Sequence, residues 1–458
     1  MDDTIAAIAT APGAGGVAVI RISGPQAQAI ARRLFRMKNG QPPVLETHHL
    51  YHGHILSPEG GAIIDEVMIA LMRAPRSYTG EDVLEIHGHG GYLLPQRILE
   101  EVLKAGARLA EPGEFTKRAF LNNRMDLSQA EAVADMITAQ TDRGLELAQA
   151  QYQGRLSGSI NKSHAEVADI LAFLEAAIDF VEDTDDLPED KSIPKRLQNI
   201  VQDLNRLAGS YRDGKIFKDG VSVVIAGRTN VGKSSLLNHF LGEQRAIVTP
   251  IPGTTRDFIE EPVRIHDIIV RLTDTAGIRK TEEAIEQAGI DLVWQRVAAA
   301  DAVLILLDGS EEITAEDREI IEKLRGKPLI PVVNKADLPQ TLSEEEISRI
   351  LPGKVAIRIS AKYGNGLEDL QEAIYRHFCR DRSDNPPPDI ITHLRHRLAI
   401  EKAVFHLCEA TAGAARGVSP ELTAADLRDA LDALEEIIGK TANDMILARI
   451  FASFCIGK

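Results

Sequence analysis

Hydrophobic positions along the chain change their period repeatedly, and each change marks a different architecture. Over residues 1–118 short apolar segments alternate with polar turns. Val17–Gly24, His48–Leu56, Asp65–Met72 and Asp82–Gly91 read as strands, and Pro25–Phe35 and Leu93–Ala105 as helices. From 119 to 215 no strand pattern is present. Ala119–Ala139, Ser163–Phe180 and Ile193–Ala208 instead carry apolar residues at spacings of three and four, the stripe of an amphipathic helix. From 216 to about 378 strands and helices alternate again, now with strands apolar throughout, as in a parallel sheet covered on both faces. These strands are Val221–Ala226, Ile268–Leu272, Ala302–Leu307, Leu329–Val333 and Val355–Ile359. Asp381–Asp389 holds three consecutive prolines and reads as a stiff linker. Residues from Ile390 to about Phe454 are helical, with a break at Gly417–Leu422 and Thr423 as an N-cap candidate.

This order predicts a multidomain α/β protein. An N-terminal α/β domain (1–118) precedes an all-α helical bundle made from 119–215 plus 380–458. A doubly wound, mostly parallel nucleotide domain (216–379) is inserted between the two halves of the bundle. Insertion costs little when a domain's ends lie close together.

The chemistry is densest after the strand Val221–Ala226. Gly227-Arg-Thr-Asn230-Val231-Gly232-Lys233-Ser234 fits G-x-x-x-x-G-K-[ST] and leads into a helix read over Ser235–Leu241. Its amides and the helix N-terminus suit a phosphate, with Lys233 as a point charge and Ser234 as a magnesium ligand. Gly253-Thr254-Thr255-Arg256-Asp257 follows, and a threonine hydroxyl there completes a magnesium shell when a γ-phosphate is present. Asp274-Thr275-Ala276-Gly277 offers a carboxylate for magnesium through water and an amide for the γ-phosphate. In Asn334-Lys335-Ala336-Asp337 the last carboxylate pairs with guanine N1–H and its exocyclic amine, which adenine lacks. Ser360-Ala361-Lys362 closes the base pocket. Each motif alone is weak. Five in this order resemble the translation-factor-related GTPases, so GTP is the expected nucleotide.

Where a Ras-like protein has a water-orienting glutamine, this chain has Ile278. Sequence proximity makes Glu282, Glu283 and Glu286 the candidates for that task. Asn230 is either a turn residue or the oxygen ligand of a monovalent cation standing in for an arginine finger.

Composition limits the remaining choices. Apolar content is 44 %, and the net charge of −16 counts against a surface that coats nucleic acid. The first 118 residues hold 12 Lys/Arg against 13 Asp/Glu, so the acidity lies elsewhere. Asp179–Asp190, with seven acids and no base, reads as a solvated loop. The acidic N-terminus argues against a secretory signal, and no apolar run is long enough to span a bilayer, so a cytoplasmic protein is expected. Cys379, Cys408 and Cys455 suggest neither a disulfide framework nor a zinc site. The pairs His52/His54 and His87/His89 each share a strand face, and read as solvent-facing or hydrogen-bonded histidines rather than metal ligands.

Gly13–Val17, Arg21–Gly24, the block Pro112–Asn122 (PGEFTKRAFLN) and the C-terminal Phe454-Cys455-Ile456-Gly457-Lys458 resemble the MnmE (TrmE) family of tRNA-modifying GTPases, and the resemblance covers the whole chain. It implies a homodimer that works with the FAD- and NADH-dependent partner MnmG, a heterotetramer with it, and tRNA as substrate. The reaction implied places an aminomethyl or carboxymethylaminomethyl group on C5 of the wobble uridine. It further implies a one-carbon tetrahydrofolate, such as 5-formyltetrahydrofolate, at Arg21, Glu85, Arg124 and Lys458. Potassium is implied at Asn230, Thr249, Ile251 and Thr254, within a loop whose Pro250, Pro252 and Gly253 also border the nucleotide, as Ser235 does beside the phosphate loop. Dimerisation of the nucleotide domains would accompany that cation, with Glu286 orienting water. Cys455 has no base beside it in sequence to activate it as a nucleophile. The rival readings are a ribosome-assembly GTPase acting as an RNA-binding switch, and a folate-binding scaffold with a decayed nucleotide site.

Overall fold

The computed structural model describes residues 3–41, 44–58, 60–179, 192–244, 261–274, 294–379, 390–416, 419–441 and 443–458. They form two compact units. One comprises residues up to 137, 151–204 and 398–458, and the other 138–150 and 205–397.

The first unit contains a seven-stranded sheet. Its strands are β1 (Ile5–Ile8), β2 (Val17–Ser23), β3 (Phe35–Met37), β4 (Leu50–Leu56), β5 (Ile63–Met72), β6 (Val83–His89) and β7 (Arg108–Leu109). Their spatial order is β3-β4-β5-β6-β2-β1-β7. Neighbours are antiparallel except β1 and β7. Alternation along β2 sends Ala18, Ile20 and Ile22 inward, the period-two signature of a sheet with one buried face. Helices Ala27–Leu34 and Leu94–Lys104 cover that face with Ile30, Leu34, Ile98 and Val102.

Helix Arg155–Asp179 in the same unit packs along helix Pro420–Ile438, far away in sequence. His164 meets Glu435 at 3.0 Å, and Arg428 meets Glu175 at 2.6 Å. Leu427, Leu434 and Ile438 are buried on that helix at helical spacing.

The second unit holds six strands: β8 (Val221–Ala226), β9 (Glu261–Ile265), β10 (Ile268–Asp274), β11 (Ala302–Asp308), β12 (Leu329–Asn334) and β13 (Ile357–Arg358). Their order is β13-β12-β11-β8-β10-β9, parallel except for the edge strand β9. Every residue of β11 and β12 is buried, which accounts for their unbroken apolar runs.

Several expectations need correction. The stripe over Ala119–Ala139 belongs to two helices, Glu114–Leu121 and Leu127–Thr138. Asn123 between them has a left-handed φ of 56°, which a helix cannot accommodate. Asp126 then caps the second helix, accepting from Gln129 N at 3.0 Å and Ser128 Oγ at 2.7 Å. Ala119, Leu127, Ala130 and Val133 still share one core, so the pattern crosses the break unchanged. Helix Pro420–Ile438 has Ser419 as its N-cap and Pro420 in its first turn, with Thr423 buried inside the helix. The strand expected from His48 begins at Leu50, because His48 has a left-handed φ of 62°. Strands β1, β3, β7 and β9 were not anticipated, being short or at sheet edges. The acidic loop after Asp179 and the triple-proline linker lie outside the described residues.

Candidate nucleotide site and the N-terminal cation cluster

Strand β8 runs between β11 and β10 and ends at Gly227. A Cβ on Gly227 would lie 2.5 Å from Leu306 O, so the chain turns there only without a side chain. The loop continues through Asn230 at φ 62° and Gly232 at φ 99° into helix Lys233–Gln244. A Cβ on Gly232 would fall 2.2 Å from Asn334 Nδ2. Lys233, nearly buried, donates from Nζ to Gly227 O at 2.8 Å and Arg228 O at 2.7 Å. Ser234 Oγ donates to Asp274 Oδ2 at 2.8 Å. Asp274 ends β10, whose parallel register sets it opposite Ile225. A hydroxyl and a carboxylate brought together are hard oxygen donors, the type magnesium selects.

Asn334 ties the loops together. Its Nδ2 donates to Val231 O at 2.7 Å, and its Oδ1 accepts from Ala361 N at 2.9 Å. Ser360 Oγ donates to Asp337 Oδ1 at 2.6 Å, which fixes the carboxylate that would read the base. Lys362 is exposed, with Nζ 4.9 Å from the centroid of the Tyr363 ring. Ser235 is exposed in the first helical turn. Four of the five motifs supply Asn230, Val231, Gly232, Lys233, Ser234, Asp274, Asn334, Lys335, Asp337, Ser360, Ala361 and Lys362 to the strand ends of one sheet and the segments that follow them. Thr249, Pro250, Ile251, Pro252, Gly253, Thr254, Thr255, Thr275, Ala276, Gly277 and Glu286 lie outside the described residues, as do Ile278, Glu282 and Glu283.

One group here had no signal in any motif. Asp308, the last residue of β11, accepts at Oδ1 from Ser310 N (3.0 Å) and Ser310 Oγ (2.7 Å), while Oδ2 meets Lys335 Nζ at 2.5 Å. Burial pushes its pKa up, but the Lys335 and Ser310 bonds outweigh that and hold it below the ordinary value. Arg228 lies 3.7 Å from the same Oδ2, 3.5 Å from Asp317, and pairs with Glu311.

In the first unit, Arg21 on β2 stands in register opposite Glu85 on β6, with Nε 3.0 Å from Oε1. Its guanidinium lies 5.3 Å from the Tyr78 ring and 5.8 Å from Phe115, and its Nη1 donates to Gly457 O at 3.4 Å. Burial, and then the nearby Arg21 charge, push the Lys458 ammonium below its ordinary pKa. Arg21, Glu85 and Lys458 therefore share one site. Arg124 is exposed, with its side chain beside Gly80, and takes no part in these contacts. Tyr78 and Phe115 were missed, because single aromatics carry no spacing signal.

The two family-specific blocks meet at this site for a steric reason. A Cβ on Gly113 would lie 2.7 Å from Phe451 O and 3.0 Å from Phe454 Cβ, and one on Gly457 would lie 2.6 Å from Ile8 O. Phe454 is buried and Cys455 exposed. Within Pro112–Asn122, Glu114 and Arg118 serve a buried network. Arg118, fully enclosed, bonds Asp3 at 2.7 Å and Glu81 at 3.1 Å, and lies 3.3 Å from Glu114. Two of the paired histidines meet carboxylates across strands, His89 with Asp65 at 2.7 Å and His52 with Glu66 at 2.8 Å, while His87 lies 3.4 Å from Glu85 on its own strand.

The family model described as "GTP-binding protein TrmE N-terminus" matches residues 4–124, and that described as "MnmE helical domain" matches 127–455. The chain is 48 % identical over 458 residues to the tRNA modification GTPase MnmE of Syntrophus aciditrophicus, covering 100 % of both chains. It is 47 % identical to that of Geobacter sulfurreducens, again over 100 % of each. Among solved structures, Aquifex aeolicus Era bound to GDP and aluminium fluoride is 28 % identical over 41 % of this chain and 67 % of its own, with a TM-score of 0.28.

Proposed function

The chain belongs to the MnmE family of tRNA modification GTPases, and from that premise we propose that it modifies C5 of the wobble uridine of certain tRNAs together with MnmG. It is an enzyme that acts on GTP. The observation that carries the nucleotide half of this reading is Asn334, which holds the phosphate loop through Val231 O and the base loop through Ala361 N. One side chain thereby fixes the distance between the two ends of a nucleotide.

In this reading the phosphate-loop amides and Lys233 bind the phosphates, Asp337 reads guanine, and Ser234 and Asp274 hold magnesium, with Thr255 completing its shell. Magnesium, when bound, offsets charge developing on the phosphate oxygens. Lys233 would exchange its present carbonyl partners for phosphate oxygens. A potassium ion at Asn230, Thr249, Ile251 and Thr254, dimerised nucleotide domains and Glu286 as the water-orienting acid complete the proposal. Of these four, Asn230 is the one among the described residues, and it turns the phosphate loop at a left-handed φ of 62°. Hydrolysis in potassium should exceed that in sodium several-fold, and equal rates in both salts would remove the cation.

For tetrahydrofolate, Arg21 and Lys458 supply cations for a glutamate tail, Glu85 accepts from a pterin edge, and Tyr78 and Phe115 line the site. Arg124 would join only from its exposed position. The three-domain division at 118, 215 and 379, the homodimer, the heterotetramer with MnmG and a cytoplasmic location belong to the same proposal. Among the described residues no helix is long and apolar enough to cross a membrane. Nucleoside analysis of tRNA from cells lacking this protein tests the whole reading. Loss of the C5 group at the wobble uridine is expected, and a wobble uridine modified as in wild type would redirect attention to ribosome assembly.

A further inference from the structure

Strand order in the second unit has a consequence for the nucleotide site. Strand β11 lies between β8 and β12, the two strands whose following loops carry the phosphate motif and the base motif. Its last residue, Asp308, is in register with Asn334, so its carboxylate stands beside the first residue of the base loop. Ser310 occupies Oδ1 through both its amide and its hydroxyl, which sets the carboxylate's orientation and leaves Oδ2 facing the neighbouring loops. That single oxygen receives Lys335 Nζ at 2.5 Å and has Arg228 at 3.7 Å.

We infer that Asp308 is a positioning residue for guanine nucleotide, holding the Lys335 side chain of the base loop and the Arg228 side chain of the phosphate loop on one buried carboxylate. The inference rests on the GTP reading of the site. The Asp308 side chain is 2 % exposed, so solvent screens its two attractions little. Lys335 has a left-handed φ of 62°, and an anchored side chain helps to keep the base loop in that conformation. Asp317 and Glu311 supply the remaining anionic partners of Arg228, so this cluster carries three acids against two bases. The excess of negative charge means that neither cation is free to bind phosphate. Their task is to set the loops, and the phosphates are left to Lys233 and the loop amides.

The test measures the dissociation constant for fluorescent GDP with the full-length chain, alongside its melting temperature. Asp308→Asn keeps an oxygen for Ser310 and removes the charge from Lys335 and Arg228. The expected result is affinity weaker by about tenfold, with the loss largely absent when the change is made in a Lys335→Met background. A merely structural Asp308 would lower the melting temperature while leaving GDP affinity intact, and that outcome overturns the inference. Should Asp308→Asn fail to fold, Lys335→Met and Arg228→Met answer the same question. A shared anchor predicts non-additive losses in the double variant, and additive losses overturn it. If wild type itself binds no GDP, the nucleotide reading fails and takes this inference with it.

Discussion

Two clusters of basic side chains, one in each unit, are built on opposite charge balances. At the N-terminal site Arg21 pairs with Glu85 and bonds the Gly457 carbonyl next to Lys458, and burial together with Arg21 lowers the lysine's pKa. At the nucleotide site Arg228 and Lys335 are outnumbered by Asp308, Asp317 and Glu311. Like charges held together in a partly buried site cost free energy that an anion can recover. Cations already neutralised have little to offer one. The charge balance of the first cluster therefore suits a negative ligand, and that of the second suits holding loops. Arg118 marks the extreme of the second kind, enclosed by Asp3, Glu81 and Glu114.

The largest effect that would separate these roles lies at Arg118. Arg118→Met should destabilise the first unit by about 3–5 kcal/mol, because it removes the cation from the Glu81 carboxylate and half the cationic partners of Asp3 and Glu114, which keep Arg108. Thermal or denaturant unfolding checks this, and a change below about 1 kcal/mol would mean that the network behaves as a surface ion pair. Next in size is Asp337→Asn, which removes the acceptor for two guanine donors. GDP affinity should fall by about a hundredfold, and xanthosine diphosphate, whose C2 carbonyl can accept from the new amide, should gain relative to GDP. Retained preference for GDP would place guanine recognition elsewhere. The smallest effect sharpens the contrast itself. Lys458 has a depressed pKa in the free protein, so an anionic ligand beside it should raise that pKa and take up a proton. Affinity for 5-formyltetrahydrofolate should then decline as pH rises through the free-state pKa of Lys458. Calorimetry in buffers of different ionisation enthalpy, run across the alkaline range through which the free Lys458 titrates, reads the proton directly, and binding without proton uptake anywhere in that range would detach Lys458 from the ligand.

Legibility followed locality. The strand Val221–Ala226 coincides with its sequence pattern, because a run of β-branched residues bounded by Gly227 has few other ways to be buried. Helix ends were less visible. The stripe of Ala119–Ala139 survived the turn at Asn123 because both helices contribute to one core. Asp308 escaped notice for a different reason: its partners are 27 and 80 residues away, and a lone acid at a strand end resembles many others.

By itself, the sequence determined which residues form a phosphate-loop pattern and which hydroxyls and carboxylates would suit magnesium and guanine, since each motif is a few adjacent residues with fixed donors and backbone preferences. Tertiary structure decided which of those groups share a partner. Strand order set Asp308 between Arg228 and Lys335, and register set Arg21 against Glu85. The close approaches at Gly113 and Gly457 brought the C-terminal tail to Arg21. Such pairings arise from chain crossings over long separations, and nothing in a local run of residues encodes them.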